Sequence, residues 1–260
     1  MPRPSLLAWR ARRPARPLIL ALTGTDLYRD IRSDAGAAES LELADRIVVL
    51  QAAALDELTP PQQRKAHVIH QSETARGAWQ PPRRFTRFAA IGHLREEKDP
   101  LRAAQALRLL ADLPALRVVE AGAALAPRWA DEAQALMRAE TRYRWLGEVP
   151  HWRALKLLRE SHALIIGSRL EGGAHVVSEA IVHGVPVLAS RIPGNVGLLG
   201  ADYPAYFPVG DTAALARLMR RVHGEAAFLH ALHAAVVARQ PLFEPAREAT
   251  AWRVAIADFF

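Results

Sequence analysis

The feature that most constrains this chain is a recurring alternation. From Pro17 onward, short β-branched or leucine-rich runs give way to longer amphipathic segments rich in alanine and arginine. Short apolar runs suit strands buried on both faces, and the longer segments suit helices that cover them. The pattern predicts α/β units around parallel sheets. Strands are expected over Pro17–Leu22, Arg46–Leu50, His67–His70, Arg87–Ile91, Leu116–Glu120, Tyr143–Leu146, His162–Gly167 and Pro186–Ala189. Helices are expected near Ala37–Leu43, Pro100–Leu110, Ala126–Arg138, Trp152–Glu160, Ala174–His183, Thr212–His223, Glu225–Arg239 and Pro245–Ala257.

The alternation breaks at Gln71–Arg84, QSETARGAWQPPRR, where polar residues and a Pro-Pro pair have the composition of a linker. Two domains are therefore expected: residues 1–80 with the linker, and residues 81–240, followed by a terminal helix over 241–260. The first block has room for about three strands, fewer than a self-sufficient doubly wound half uses, so it reads as incomplete on its N-terminal side.

Composition narrows the function. Half of the 260 residues are hydrophobic, enough for real cores. The absence of cysteine excludes disulfides, thiolate metal sites and cysteine nucleophiles. The net charge of +7 comes from basic residues spread along the chain and interleaved with acids, so nucleic acid is not indicated as a partner. No apolar run reaches the length of a membrane helix. The arginine-rich start MPRPSLLAWRARRPARP has neither the apolar core nor the cleavage site of a secretory signal, which leaves the cytoplasm as the default location. Only Lys65, Lys98 and Lys156 are lysine; against an arginine background, a lysine can mark a site that needs a compact ammonium.

Three loops hold the candidate chemistry. In EGGAHVVSE, Glu171 follows the strand His162–Gly167, in the position where open α/β sheets bind ligands. Gly172 and Gly173 permit close backbone approach and leave helical N–H groups free for an anion. Glu179 lies on the following helix, placed to accept hydrogen bonds from a diol. The bland alternative is an acid near a helix terminus and a second acid on a solvated face. In GHLREEKDP, Arg95 and Lys98 stand beyond another strand, with Asp99-Pro100 read as the cap and first turn of a helix, a sensible place to neutralise a diphosphate. Its alternative is a self-compensating surface charge cluster. The third loop, TGTDLYRD, offers Thr23, Gly24, Thr25 and Asp26, or alternatively only a side-chain-capped turn. The histidines show no metal-ligand spacing, and His67 and His70 read as structural.

The order G-x-L-x-x-E-K, then W-L-G at Trp145–Gly147, then E-G-G-x5-E-A and G-V-P-V-L-A-S resembles the nucleotide-sugar domain of the retaining GT-B glycosyltransferases with an E-x7-E motif, from about Arg84 onward. More narrowly, LTGTDLYRDI, GHLREEKDP, RYRWLGE, SRLEGGAHVVSEAI and ASRIPGNVGLLGADYPAYFPVGD resemble the selenosugar synthases of selenoneine biosynthesis. That resemblance implies a UDP-sugar donor, typically UDP-N-acetylglucosamine, selenophosphate as acceptor, and a functional link to a selenophosphate synthetase. It implies no cofactor and no metal. Lys98, helped by Arg95, is then expected at the donor diphosphate, and Glu171 near the anomeric carbon, with Gly172 and Gly173 offering N–H groups. Glu179 is expected at the ribose, and Trp145 and Leu146 in the segment that holds the uracil. His93 stands where relatives commonly have arginine, so the phosphate contact is expected to have moved to Arg95. Thr23 stands where many relatives have histidine, and Thr25, Arg29 and Arg191 are candidates for the acceptor anion. An ordinary GT-B glycosyltransferase with a sugar or lipid acceptor, or a non-catalytic UDP-sugar-binding remnant, are the alternatives. Relatives open with a further strand, glycine-rich loop and helix, so the chain as given is expected to be poorly active. Trp252, Phe259 and Phe260 are expected to lose packing surface.

Overall fold

The computed structural model describes residues 3–259, with side chains from Leu6 onward. Among the described residues, nine strands form two parallel sheets. The first comprises β1 (Ile19–Ala21), β2 (Arg46–Val49) and β3 (Ala66–Val68), in that spatial order. The second comprises β4 (Thr86–Ile91), β5 (Leu116–Ala121), β6 (Tyr143–Trp145), β7 (Ala163–Ile166), β8 (Val187–Ser190) and β9 (Tyr206–Phe207). Every strand pairing is parallel. The expected α/β class is therefore the one observed.

The second sheet runs β6-β5-β4-β7-β8-β9. The chain winds outward from β4 through β5 to β6, then crosses to the other side of β4 to lay down β7. Strand order reverses between β4 and β7, so the loops after these two strands diverge and leave a crevice. Both β7 and β8 are buried along their whole length, as their apolar runs require. Helix faces close the core on either side. Leu107, Leu158, Ile181 and Leu215 pack with Phe88 and Phe207 in one cluster, each fully buried large side chain contributing about 1.5–3 kcal/mol.

The helix Pro245–Ile256 returns to the first sheet, where Ala251, Trp252 and Ala255 pack against Ile19, Val48 and Ile69. Trp252 is thus half-buried, and the Phe259 ring lies under the Arg46 guanidinium at 5.0 Å. Both aromatic residues have partners; Phe260 lies outside the described residues. Among the described residues, no helix is long and apolar enough to cross a membrane.

Several elements depart from expectation. The N-terminal arginines form the helix Arg3–Arg12, anchored where Arg10 donates to the Asp45 carboxylate at 2.8 Å and the Leu43 carbonyl at 2.6 Å. Pro193–Leu199 is helical despite its two glycines, because proline suits a first turn and the helix packs on the turn Ala52–Glu57 of the other sheet's layer. The expected helix start at Asp99-Pro100 is wrong. Asp99 (φ 47°) and Leu101 (φ 69°) are left-handed, and the helix begins at Arg102. The Asp99 carboxylate does not cap; it accepts from Arg102 Nε and Nη2 at 2.8 and 3.0 Å.

Candidate active site

The two loops that flank the crevice meet. Lys98, after β4, and Glu171, after β7, are separated by 73 residues, yet Lys98 Nζ donates to Glu171 Oε1 at 2.5 Å. The Ser168 hydroxyl donates to the same oxygen at 2.7 Å. Glu171 is buried and Lys98 partly so, which makes this an oriented ion pair rather than a surface contact. The turn Glu96–Lys98 and the left-handed Asp99 fold the chain back sharply enough to aim the ammonium into the crevice. The other two lysines have ordinary duties: Lys65 donates to the Glu42 and Ala44 carbonyls at a helix end, and Lys156 pairs with Glu160 one turn away.

Two cavities open from this pair. One, of about 540 Å³, is lined by Gly92, His93, Arg95, Lys98, Glu148 and His151, among others. That volume lies within the range of small-ligand sites. The other, of about 300 Å³, lies between the two sheets' loops, with Thr23, Gly24, Thr25 and Leu50 on one side and Glu171, Gly172 and Gly173 on the other. Arg95 reaches both cavities. Ala174, at the start of the helix His175–Val182, supplies no side-chain cap, and although the Val177 N–H is taken by the Ala174 carbonyl, those of His175 and Val176 are positioned for an anion.

The two walls of the smaller cavity touch through backbone. A Cβ on Gly24 would fall 2.5 Å from the Gly172 nitrogen, and one on Gly172 would fall 2.5 Å from the Gly24 nitrogen. Only glycine permits this approach on either side.

Other expected site residues have more local roles. Asp26 accepts from the Thr23 amide and hydroxyl at 3.0 and 2.6 Å, so its carboxylate closes its own loop. His93 Nδ1 accepts from the Ala123 N–H at 3.2 Å, tying the loops after β4 and β5 together. The Trp145 indole donates to the Gly122 carbonyl at 2.9 Å, and Leu146 packs in a small apolar cluster; Glu148 and Val149, just beyond, line the larger cavity. Arg191 is exposed, with its guanidinium 5.2 Å from the Tyr206 ring centre, and the structure does not bring it to the others. Arg29 instead pairs with Glu97 at 3.4 Å, across the two sheets' loops.

Glu179 is buried, and its Oε1 lies 2.6 Å from His151 Nε2 and 3.7 Å from His175 Nε2. Sequence reasoning missed both histidines and Ser168. His175 was detectable, since it stands four residues before Glu179 on one helix face, whereas His151 arrives from another helix. Beneath the loop after β4, Glu120 is wholly buried. Burial pushes its carboxyl up to about 7, opposed by hydrogen bonds from the Tyr143 hydroxyl at 2.7 Å and the Leu101 N–H.

Two parallel-sheet units, with a crevice at the switch point of the second, define the GT-B class of folds. Solved structures agree. Anabaena HepE in complex with UDP is similar with a TM-score of 0.80 and 15% identity, over 98% of this chain and 76% of that one. A complex of the same protein with UDP and glucose gives a TM-score of 0.78 at 16% identity, covering 98% and 74%. The apo form of the lipopolysaccharide outer core galactosyltransferase WaaB gives 0.73 at 15% identity, covering 99% and 74%. These identities speak for the fold. The chain belongs to the glycosyl transferases group 1, a family matched over residues 71–232, and is thus a transferase of glycosyl groups.

Proposed function

We propose that this glycosyltransferase moves a sugar from a UDP-sugar, UDP-N-acetylglucosamine by preference, to the selenium of selenophosphate, giving a selenosugar for selenoneine biosynthesis. The observation that carries the reading is the backbone contact of Gly24 with Gly172 beside the Lys98–Glu171 pair. It borders a cavity of about 300 Å³ on the acceptor side, with room for a compact oxyanion beside Glu171. Arg95 on that cavity matches an acceptor of strong negative charge.

In this reading the larger cavity takes the nucleotide, with Glu179 on the ribose hydroxyls and the segment from Trp145 to Val149 beside the uracil. Lys98 leaves Glu171 for the diphosphate when donor binds, with Arg95 and the helix terminus behind Gly172 and Gly173 assisting. As the bond from the anomeric carbon to the diphosphate breaks, negative charge collects on UDP, and fixed cations stabilise that state more than the ground state. Glu171 then faces the anomeric carbon, to which selenium bonds as UDP leaves, while Thr23 and Thr25 hold the oxyanion; water then cleaves the Se–P bond, releasing phosphate and the selenosugar. A selenophosphate synthetase would supply the acceptor. Support from neighbours is that HepE was solved with UDP and with UDP and glucose.

The test is UDP release from UDP-N-acetylglucosamine with selenophosphate, thiophosphate or simple sugars as acceptor. Release with the two phosphates and not with sugars is the expected result, and Glu171→Gln should lower it by about 10²-fold or more. Release with sugars alone would overturn the acceptor, and UDP binding without release under all three conditions would overturn catalysis.

A further inference from the structure

We propose that Glu73, His175 and Glu179, with His151 beside them, form a site for a divalent transition-metal ion, with zinc the best match. Glu73 comes from the linker, His175 and Glu179 from successive turns of the helix His175–Val182, and His151 from the first residue of the helix His151–Arg159. His175 Nε2 lies 3.4 Å from Glu73 Oε2 and 3.7 Å from Glu179 Oε1. A tetrahedral zinc with bonds of about 2.0–2.1 Å sets its ligand atoms about 3.4 Å apart. One ligand atom each from Glu73, His175 and Glu179 fall within 4.8 Å of one another, so only the widest edge must contract. His151 Nε2 is hydrogen-bonded to Glu179 Oε1 at 2.6 Å, closer than the tetrahedral spacing, so this contact must open for His151 to take the fourth position.

Electrostatics gives an independent reason. The Glu73 and Glu179 side chains are only 13% and 7% exposed and converge on one imidazole. Among the described residues, neither carboxylate has a lysine or arginine within ion-pair distance. Buried charges are ordinarily paired or bound to a metal, and one cation here would serve both carboxylates. Two imidazoles with two carboxylates favour zinc, nickel or copper over magnesium and calcium, which prefer oxygen ligands alone. The half-exposed His175 and the exposed His151 leave a path for the ion from solvent.

Bound metal would pin the linker to the helix that carries Glu179, adding to the hydrogen bond by which the Glu73 amide already donates to the Phe243 carbonyl at 3.2 Å. It would also occupy Glu179, so metal and UDP should compete; this consequence rests on the ribose contact proposed above.

The experiment titrates Zn²⁺ into the EDTA-treated 260-residue protein against a chromophoric chelator. Co²⁺ serves as a second probe, through its visible tetrahedral absorption. One ion per chain is expected, with affinity at least about tenfold lower in Glu73→Gln and in His175→Ala, both retaining wild-type circular dichroism. His230→Ala, at an exposed histidine elsewhere, should bind as wild type. No binding by wild type, or equal binding by both ligand variants, overturns the site. Zinc that is lost from His175→Ala, yet leaves the UDP affinity of wild type unchanged, supports the metal site and overturns the ribose role of Glu179.

Discussion

Gly24→Ala puts the backbone seam between the two sheets' loops under direct strain. The new methyl carbon would sit 2.5 Å from the Gly172 nitrogen and 2.8 Å from the Glu171 carbonyl carbon, both main-chain atoms that no rotamer change can move aside. Ordinary contact begins at 3.4 Å, so the loops must part by about 0.9 Å. Overpacking on that scale costs about 1–3 kcal/mol. The displacement falls on Glu171 itself, and misplacing a reacting group by about 1 Å costs roughly 10²-fold in rate. The assay is steady-state UDP release, with UDP affinity measured by calorimetry and stability by urea denaturation. Turnover should fall by about two orders of magnitude and UDP affinity by much less, since the larger cavity does not include Gly24 and only the diphosphate contact behind Gly172 is displaced. Gly224→Ala is the control, because nothing lies within 4 Å of a Cβ there. Wild-type turnover and stability in Gly24→Ala would refute the tight seam.

Glu120 should impose a pH dependence on stability. Its carboxyl is neutral in both states below about pH 4.5; between there and about pH 7 the unfolded chain ionises while the folded chain does not. Stability should therefore decline across that window by about 3 kcal/mol, then level off. Glu120→Gln should flatten the decline, as read from urea midpoints at pH 5 and pH 8. Arg142 donates to the carbonyls of Leu107, Leu110 and Leu113 and pairs with Glu140 at 2.6 Å. Arg142→Ala should cost about 3 kcal/mol by equilibrium denaturation, and Arg142→Lys should recover only part of it, because an ammonium lacks the planar fork.

The sheets were legible in the sequence because buried parallel strands are short apolar runs, and all eight expected strands are present within a few residues. The ninth, Tyr206–Phe207, is too short to carry a period. Lys98 and Glu171 could each be placed after a strand, but their contact depends on β4 pairing with β7, a crossover that local pattern does not record. Asp99 deceived for a physical reason: Asp-Pro usually opens a helix, yet here the aspartate serves Arg102 and the helix starts later. Glu73 read only as linker composition, because its neighbours on the helix His175–Val182 lie a hundred residues away in the chain.

Leu101 has a consequence for heat tolerance. A left-handed leucine costs about 1–2 kcal/mol, and what holds it there is burial, at 2% exposure, worth about 1.5–3 kcal/mol. The turn that aims Lys98 is thus fastened by apolar packing beneath it, with little margin. Warming that loosens this packing should release the turn before it melts the helices. Catalysis should then fade with temperature ahead of the far-ultraviolet signal, so that the working ceiling of the enzyme is set by one side chain and not by collapse of the whole.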